Sequence, residues 1–191
     1  DEAYLTLRLM ALEDVYFNFN YRLLTGILHA NSQFYMPGFW YRRNQRSPKS
    51  APSFQTSDSW VVREDRLSAP LTGVFDSKTG ASLVVSRTGE LSVDALTTHK
   101  EGEVILSGET SLGFIGFENL DGQSALAFGY PYKEAPKSYL RKLTLAPEIE
   151  AYRFLEKGKT LSLTWKVKPG KALDFSDFIC LDAKIRRSRE Q

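Results

Sequence analysis

The chain has 191 residues, of which 42% are hydrophobic, 13% aromatic and 25% charged, enough apolar material to bury a core and too much for a disordered polymer. Its 25 basic and 23 acidic side chains leave a formal charge of +2, too balanced for bulk attraction to nucleic acid. One cysteine, Cys180, excludes an internal disulfide or a paired-cysteine zinc site, two histidines leave little for a multi-histidine metal centre, and no apolar run is long enough to span a membrane.

The chain opens on Asp1 with no basic region or apolar targeting run, as expected of a protein from which a targeting segment has been removed or of a piece of a longer chain. Residues 4–9 alternate apolar and polar. So do residues 15–23, where Val15, Phe17, Phe19, Tyr21 and Leu23 fall on one face and Tyr16, Asn18, Asn20 and Arg22 on the other, as a half-buried strand requires. Residues 25–57 carry Gly26, Pro37, Gly38, Pro48 and Pro52 and are expected to form one long irregular excursion. Its first part holds Phe34, Tyr35, Phe39, Trp40 and Tyr41 and is expected to be ordered; its second, from Gln45, is polar and proline-punctuated and reads as a mobile surface loop.

Shorter strands are expected at 59–63, 71–75, 81–86, 91–93, 103–107, 112–118, 124–128 and 139–145. Asp76-Ser77-Lys78-Thr79-Gly80 and Asp121-Gly122 between them read as hairpin connections. The clearest strand is 160–168, with Leu161, Leu163, Trp165 and Val167 facing in and Lys157-Gly158 and Pro169-Gly170 as bracketing turns. The sum is an all-β fold of about eleven mostly antiparallel strands: a large two-sheet sandwich over residues 1–182, with a barrel as the alternative. Residues 183–191 have helix-forming composition and read as the start of a linker or helix toward a missing C-terminal domain. The expected core includes Phe17, Phe19, Leu161, Leu163 and Trp165.

From Val15 to Ser57 there is no acid, while Arg22, Arg42, Arg43, Arg46 and Lys49 supply five positive charges. Aromatic faces stack on sugar C–H surfaces and arginine forks bind hydroxyls or carboxylates, so Tyr35, Trp40, Tyr41, Arg42, Arg43 and Asn44 form a candidate carbohydrate-binding set. The competing reading has the aromatics anchoring the loop and the arginines merely solvated. Glu64 and Asp65 are adjacent, so they point apart and cannot flank one bond; with Arg63 and Arg66 they suggest an ion-pair network. No nucleophile elbow, zinc motif or phosphate loop is present, His29 and His99 are isolated, and Cys180 in an apolar run reads as a buried, inert thiol. No catalytic residue, metal ligand or cofactor follows from these patterns.

Three stretches together carry a resemblance: Phe34-Tyr35-Met36-Pro37-Gly38-Phe39-Trp40-Tyr41-Arg42-Arg43-Asn44 after two long strands, Leu155-Glu156-Lys157-Gly158-Lys159-Thr160-Leu161-Ser162-Leu163-Thr164-Trp165, and Asp174-Phe175-Ser176-Asp177-Phe178. In element order the chain resembles the N-terminal β-supersandwich (galactose-mutarotase-like) domain that precedes an (α/α) toroid catalytic domain in bacterial glycoside hydrolases. The resemblance implies a non-catalytic module of a secreted or periplasmic polysaccharide-degrading enzyme. Such a module packs on the separate catalytic domain and shapes its cleft, with Phe39, Phe175, Phe178, Arg186 and Arg187 toward that partner. An autonomous carbohydrate-binding module is the alternative, and a sugar epimerase or mutarotase a further one.

Overall fold

The computed structural model describes residues 2–44, 57–89, 99–101, 104–107, 110–135 and 149–180. In chain order the strands are β1 (Ala3–Met10), β2 (Val15–Phe17), β3 (Phe19–Leu28), β4 (Ser32–Met36), β5 (Trp40–Arg42), β6 (Ser59–Arg63), β7 (Leu71–Asp76), β8 (Ala81–Arg87), β9 (His99–Glu101), β10 (Val104–Ser107), β11 (Phe114–Leu120), β12 (Gln123–Tyr130), β13 (Lys133–Glu134), β14 (Ile149–Leu155) and β15 (Thr160–Lys171). One short helix follows at residues 175–180. Among the described residues no helix is long and apolar enough to cross a membrane.

The fold is an all-β sandwich. A six-stranded sheet in the order β1-β15-β8-β7-β4-β5 faces a four-stranded sheet in the order β3-β12-β11-β6. Period-two alternation builds the layer between them, because one face of each strand is apolar. Leu163 and Trp165 of β15, Phe34 and Met36 of β4 and Val74 of β7 meet Trp60 and Val62 of β6, Ile115 and Phe117 of β11 and Leu126 and Phe128 of β12. The Phe34 and Phe117 rings stack across the layer at 3.7 Å and 7°. Phe17, Phe19 and Leu161 are half-buried against this core and Leu163 and Trp165 are fully within it.

Three hydrogen-bonded sheets are present instead of the expected two. The third runs β13-β14-β10-β9, with β2 also on β14, and its β10–β14 pairing is parallel. Val61 and Ala135 exchange backbone hydrogen bonds of 2.8 and 3.0 Å, which joins this sheet to the β6 edge of the four-stranded one. No barrel closes, since β1 and β3 are outer strands in the sheet orders of the described residues.

Several local expectations differ from the structure. The strand expected at 15–23 is two, β2 and β3, interrupted at Asn18 and serving different sheets. The aromatic half of 25–57 is not irregular: β3 continues to Leu28, a short 3-10 turn fills His29–Asn31, and β4 and β5 form a hairpin around Pro37-Gly38-Phe39. Pro169 and Gly170 lie inside β15 and pair with Leu83 and Ser82. This costs no ladder bond because β1 stops pairing at Val167, which leaves the proline on an edge. Cys180 is exposed, not buried, since it lies on the outer side of the terminal helix. Expected strands 91–93 and 139–145, the second loop half at 45–56 and the tail 183–191 lie outside the described residues.

The helix is anchored by its cap and its aromatics. The Asp174 carboxylate accepts from the N–H groups of Ser176 and Asp177 at 2.8 and 2.9 Å, which satisfies donors that a helix start leaves open. Phe175 and Phe178 then bury against Phe75 on the outer face of the six-stranded sheet. Gly73 makes room: a Cβ there would lie 2.7 Å from Phe178 Cζ.

Candidate functional site

The candidate sugar-binding residues sit on the β4–β5 hairpin at one end of the six-stranded sheet. Cross-strand pairing sets Tyr35 against Tyr41 and Met36 against Trp40. Side chains alternate across a strand, so the two tyrosines share the outer face while Phe34, Met36 and Trp40 share the inner one. The tyrosine rings lie 5.5 Å apart. Tyr41 is 49% exposed and its hydroxyl accepts from Gly38 N–H at 3.2 Å. Arg42 is exposed, and its guanidinium lies 5.4 Å above the Phe175 ring, a cation–π contact that holds the charge beside the tyrosines.

The other three candidates do different work. Trp40 has no exposed surface, packs 5.1 Å from Trp60 and 4.9 Å from Phe117, and donates Nε1–H to the Arg42 carbonyl at 3.0 Å. It is a core residue and cannot serve as a stacking platform, because the tight turn at Pro37–Phe39 returns the chain with Trp40 on the inner face. Arg43 folds back to donate to the Ser32 carbonyl at 3.1 Å and to the Ala30 carbonyl, and Asn44 Oδ1 accepts from Tyr41 N–H at 3.2 Å. Both brace the hairpin. Of the interface candidates, Phe175 and Phe178 are 5% and 2% exposed and are consumed by this chain's own sheet. Phe39 is half-buried against the main core, and Arg186 and Arg187 lie outside the described residues.

Two buried polar clusters differ from the expectation, which left His29 isolated and set Glu64 among Arg63 and Arg66. At the β3–β4 corner, His29 Nδ1 lies 3.2 Å from Ser124 Oγ, which lies 2.6 Å from Ser32 Oγ. Burial lowers the His29 pKa, Asp58 offsets this in part, and Arg43 adds to the lowering. Ser32 and Ser124 have no exposed surface, so a substrate cannot reach either hydroxyl. At the far end of β6, Glu64 is fully buried in a 3-10 turn (Glu64–Arg66). Its Oε2 accepts from Gly113 N–H at 2.8 Å, and its Oε1 lies 3.6 Å from Arg87 Nη1, beyond hydrogen-bonding distance. Burial pushes the carboxyl up to about 7 against the opposing pull of Arg87 and the Gly113 hydrogen bond. The Arg87 guanidinium also lies 5.2 Å above the Trp165 ring.

The local network expected around residues 63–66 forms in part: Arg63 pairs with Asp65 at 2.6 Å, but Arg66 pairs with the distant Glu134 and Glu64 faces Arg87. The only signal for the Glu64 pair was an acid two residues past the apolar Val61-Val62, with Arg63 between; nothing in the spacing indicated Arg87. A groove of about 370 Å³ lies between β14 and β15, lined by Arg153, Phe154, Lys159 and Leu161 among others, and it includes neither cluster. Among the described residues no three His, Cys, Asp or Glu side chains are placed to hold a metal ion. Comparison with known protein families, curated proteins and solved structures finds no match.

Proposed function

We propose that this chain is a non-catalytic carbohydrate-binding sandwich module, an accessory part of a secreted or periplasmic polysaccharide-degrading enzyme. It meets the glycan with Tyr35, Tyr41 and Arg42. The observation that carries the reading is an outward-facing tyrosine pair, 5.5 Å apart beside an arginine, with Tyr41 exposed and Tyr35 half-buried against Phe178, on a two-strand hairpin whose opposite face is core. Rigid aromatic faces stack on sugar rings at little entropic cost, and a guanidinium fork supplies hydroxyl or carboxylate recognition.

Two acid–base groups that an epimerase or mutarotase could use are sealed among the described residues: Glu64 has no exposed surface and His29 is packed against Phe34 and Ser124. Packing on a separate catalytic domain through Phe175 and Phe178 is the weaker form of the proposal, because both rings are occupied within the chain. Titration calorimetry of the chain against a panel of soluble oligosaccharides and polysaccharides tests it. Tyr41→Ala is expected to weaken binding by about tenfold with an unchanged melting temperature, the value of one lost stacking contact of about 1.5 kcal/mol. Absence of binding to every glycan, or equal binding by the variant, defeats the proposal.

A further inference from the structure

β1 pairs with β15 along one side in unbroken register, from Ala3↔Val167 to Met10↔Thr160, and its other side has no strand partner among the described residues. Natural proteins blunt a free edge with proline, lysine, a bulge or brevity. β1 has eight residues, no proline, no lysine, no bulge and a single charge, Arg8. Its outward Tyr4 and Met10 are 60% and 62% exposed. Its inward Leu5, Leu7 and Leu9 are only half-buried, although Leu5 and Leu7 touch the main core. A strand of this kind is a template for another strand.

We propose that β1 pairs antiparallel with β1 of a second copy of this chain, about a two-fold axis at Thr6, so that the six-stranded sheets of the two copies run on as one. The occupant follows from the strand's own charges and lengths. With Thr6 opposite Thr6, Leu5 meets Leu7, Ala3 meets Leu9 and Glu2 meets Met10, so every β1 residue has a partner and the leucines of both copies stay on the core side.

In the same register Tyr4 lies opposite Arg8 of the second copy, which suits a cation–π contact, and Glu2 lies diagonal to that arginine. Arg8 is exposed and has no ion pair among the described residues, while the Glu2 carboxylate already turns toward β15 at 2.5 Å from Lys166 Nζ. The neighbouring registers are worse. An axis at Leu7 brings the two Arg8 side chains diagonal to each other, and an axis at Leu5 leaves Met10 without a partner.

The test uses the full chain with the exposed Cys180 replaced, Cys180→Ser, and adds Thr6→Cys or Arg8→Cys. Sedimentation equilibrium is expected to give a dimer in the micromolar range. Thr6→Cys is expected to form a disulfide-linked dimer on mild oxidation, since the paired Cα atoms fall within bridging distance. Arg8→Cys is expected to remain unlinked, its Cα lying about 14 Å from its mate. Tyr4→Lys, at an exposed site that spares the core, is expected to weaken the dimer by about tenfold by setting like charges opposite Arg8. A monomer mass throughout the micromolar range overturns the proposal, as does cross-linking of Arg8→Cys as readily as Thr6→Cys.

Discussion

The two open sides of the sandwich are built by opposite rules. On the β5–β6 side the inner layer ends in a sealed aromatic wall, where Trp40 and Trp60 lie 5.1 Å apart and neither has more than 1% exposure. The strand edge there is short, three residues in β5, and β6 is capped by its bridge to Ala135. On the β1–β3 side the edges are eight and ten residues long, and Phe19, Leu5, Leu7 and Leu23 close the layer only in part. Among the described residues, eight of the ten exposed large apolar side chains fall between Tyr4 and Leu28, on or beside these strands. Burial that seals one side supplies folding stability, while the unfinished side retains driving force for association. The contrast therefore separates an inner layer closed by buried tryptophans from one that leaves apolar surface open at its rim.

Truncating one large apolar residue on each side separates the two kinds of burial. Trp40→Ala is expected to cost about 3–5 kcal/mol, since it removes a fully buried ring and leaves a cavity between Trp60 and Phe117. Tyr4→Ala, at a 60% exposed site, is expected to stay within about 0.5 kcal/mol in dilute solution. Urea unfolding midpoints of the two variants decide it. Similar losses would mean that both sides contribute equally to the fold.

The next effect concerns charge on the sealed side. The Glu64 carboxyl is raised from its ordinary 4.5 to about 7 in the folded protein. Between those values the folded chain holds a proton that the unfolded chain has released, so stability falls as pH rises through the window. The difference corresponds to roughly 3 kcal/mol between pH 4 and pH 8. Glu64→Gln cannot ionise, so its stability difference between the two pH values is expected to fall below that of the parent by this amount, with all other titrations shared. Urea midpoints of both proteins at pH 4 and pH 8 measure it. Parallel pH profiles would show that Arg87 compensates the charge fully.

Much of this architecture was legible from alternation alone. β15 reads correctly because Leu161, Leu163, Trp165 and Val167 keep period two with no breaker between them. β4 and β5 were read as an ordered but irregular excursion because Pro37 and Gly38 break the alternation, whereas they form a tight turn across which Phe34, Met36 and Trp40 continue one inward face. The same turn explains the candidate site: composition located the aromatic and basic cluster, but facing decides function, and facing depends on where a hairpin folds back. Tyr35, Tyr41 and Arg42 fell outward, Trp40 inward. Glu64 and Arg87 were illegible for another reason. They sit in different sheets and meet only because the Glu64 turn follows β6 while Arg87 ends β8.

The smallest expected effect lies on the open side and distinguishes partial from full burial. Leu7 points inward from β1 and touches the main core, but it remains half-buried at the sandwich rim. A leucine fully inside a core costs about 2–5 kcal/mol when cut to alanine, mostly through lost transfer energy and an unfilled cavity. At Leu7 part of that surface is already in water, and water can enter the space left behind, so the cavity component largely vanishes. Leu7→Ala is therefore expected to cost about 1 kcal/mol at low protein concentration, where only the fold is at stake. At high concentration the same substitution also removes a contact that β1 makes across a two-fold axis, and the cost is expected to grow, because a partner that binds only the folded chain adds its binding energy to stability. Thermal midpoints of parent and variant at two widely separated concentrations measure both quantities at once. A constant difference would assign Leu7 to the fold alone; a loss at low concentration as large as that of a fully buried leucine would mean that this side of the sandwich is sealed as tightly as the other.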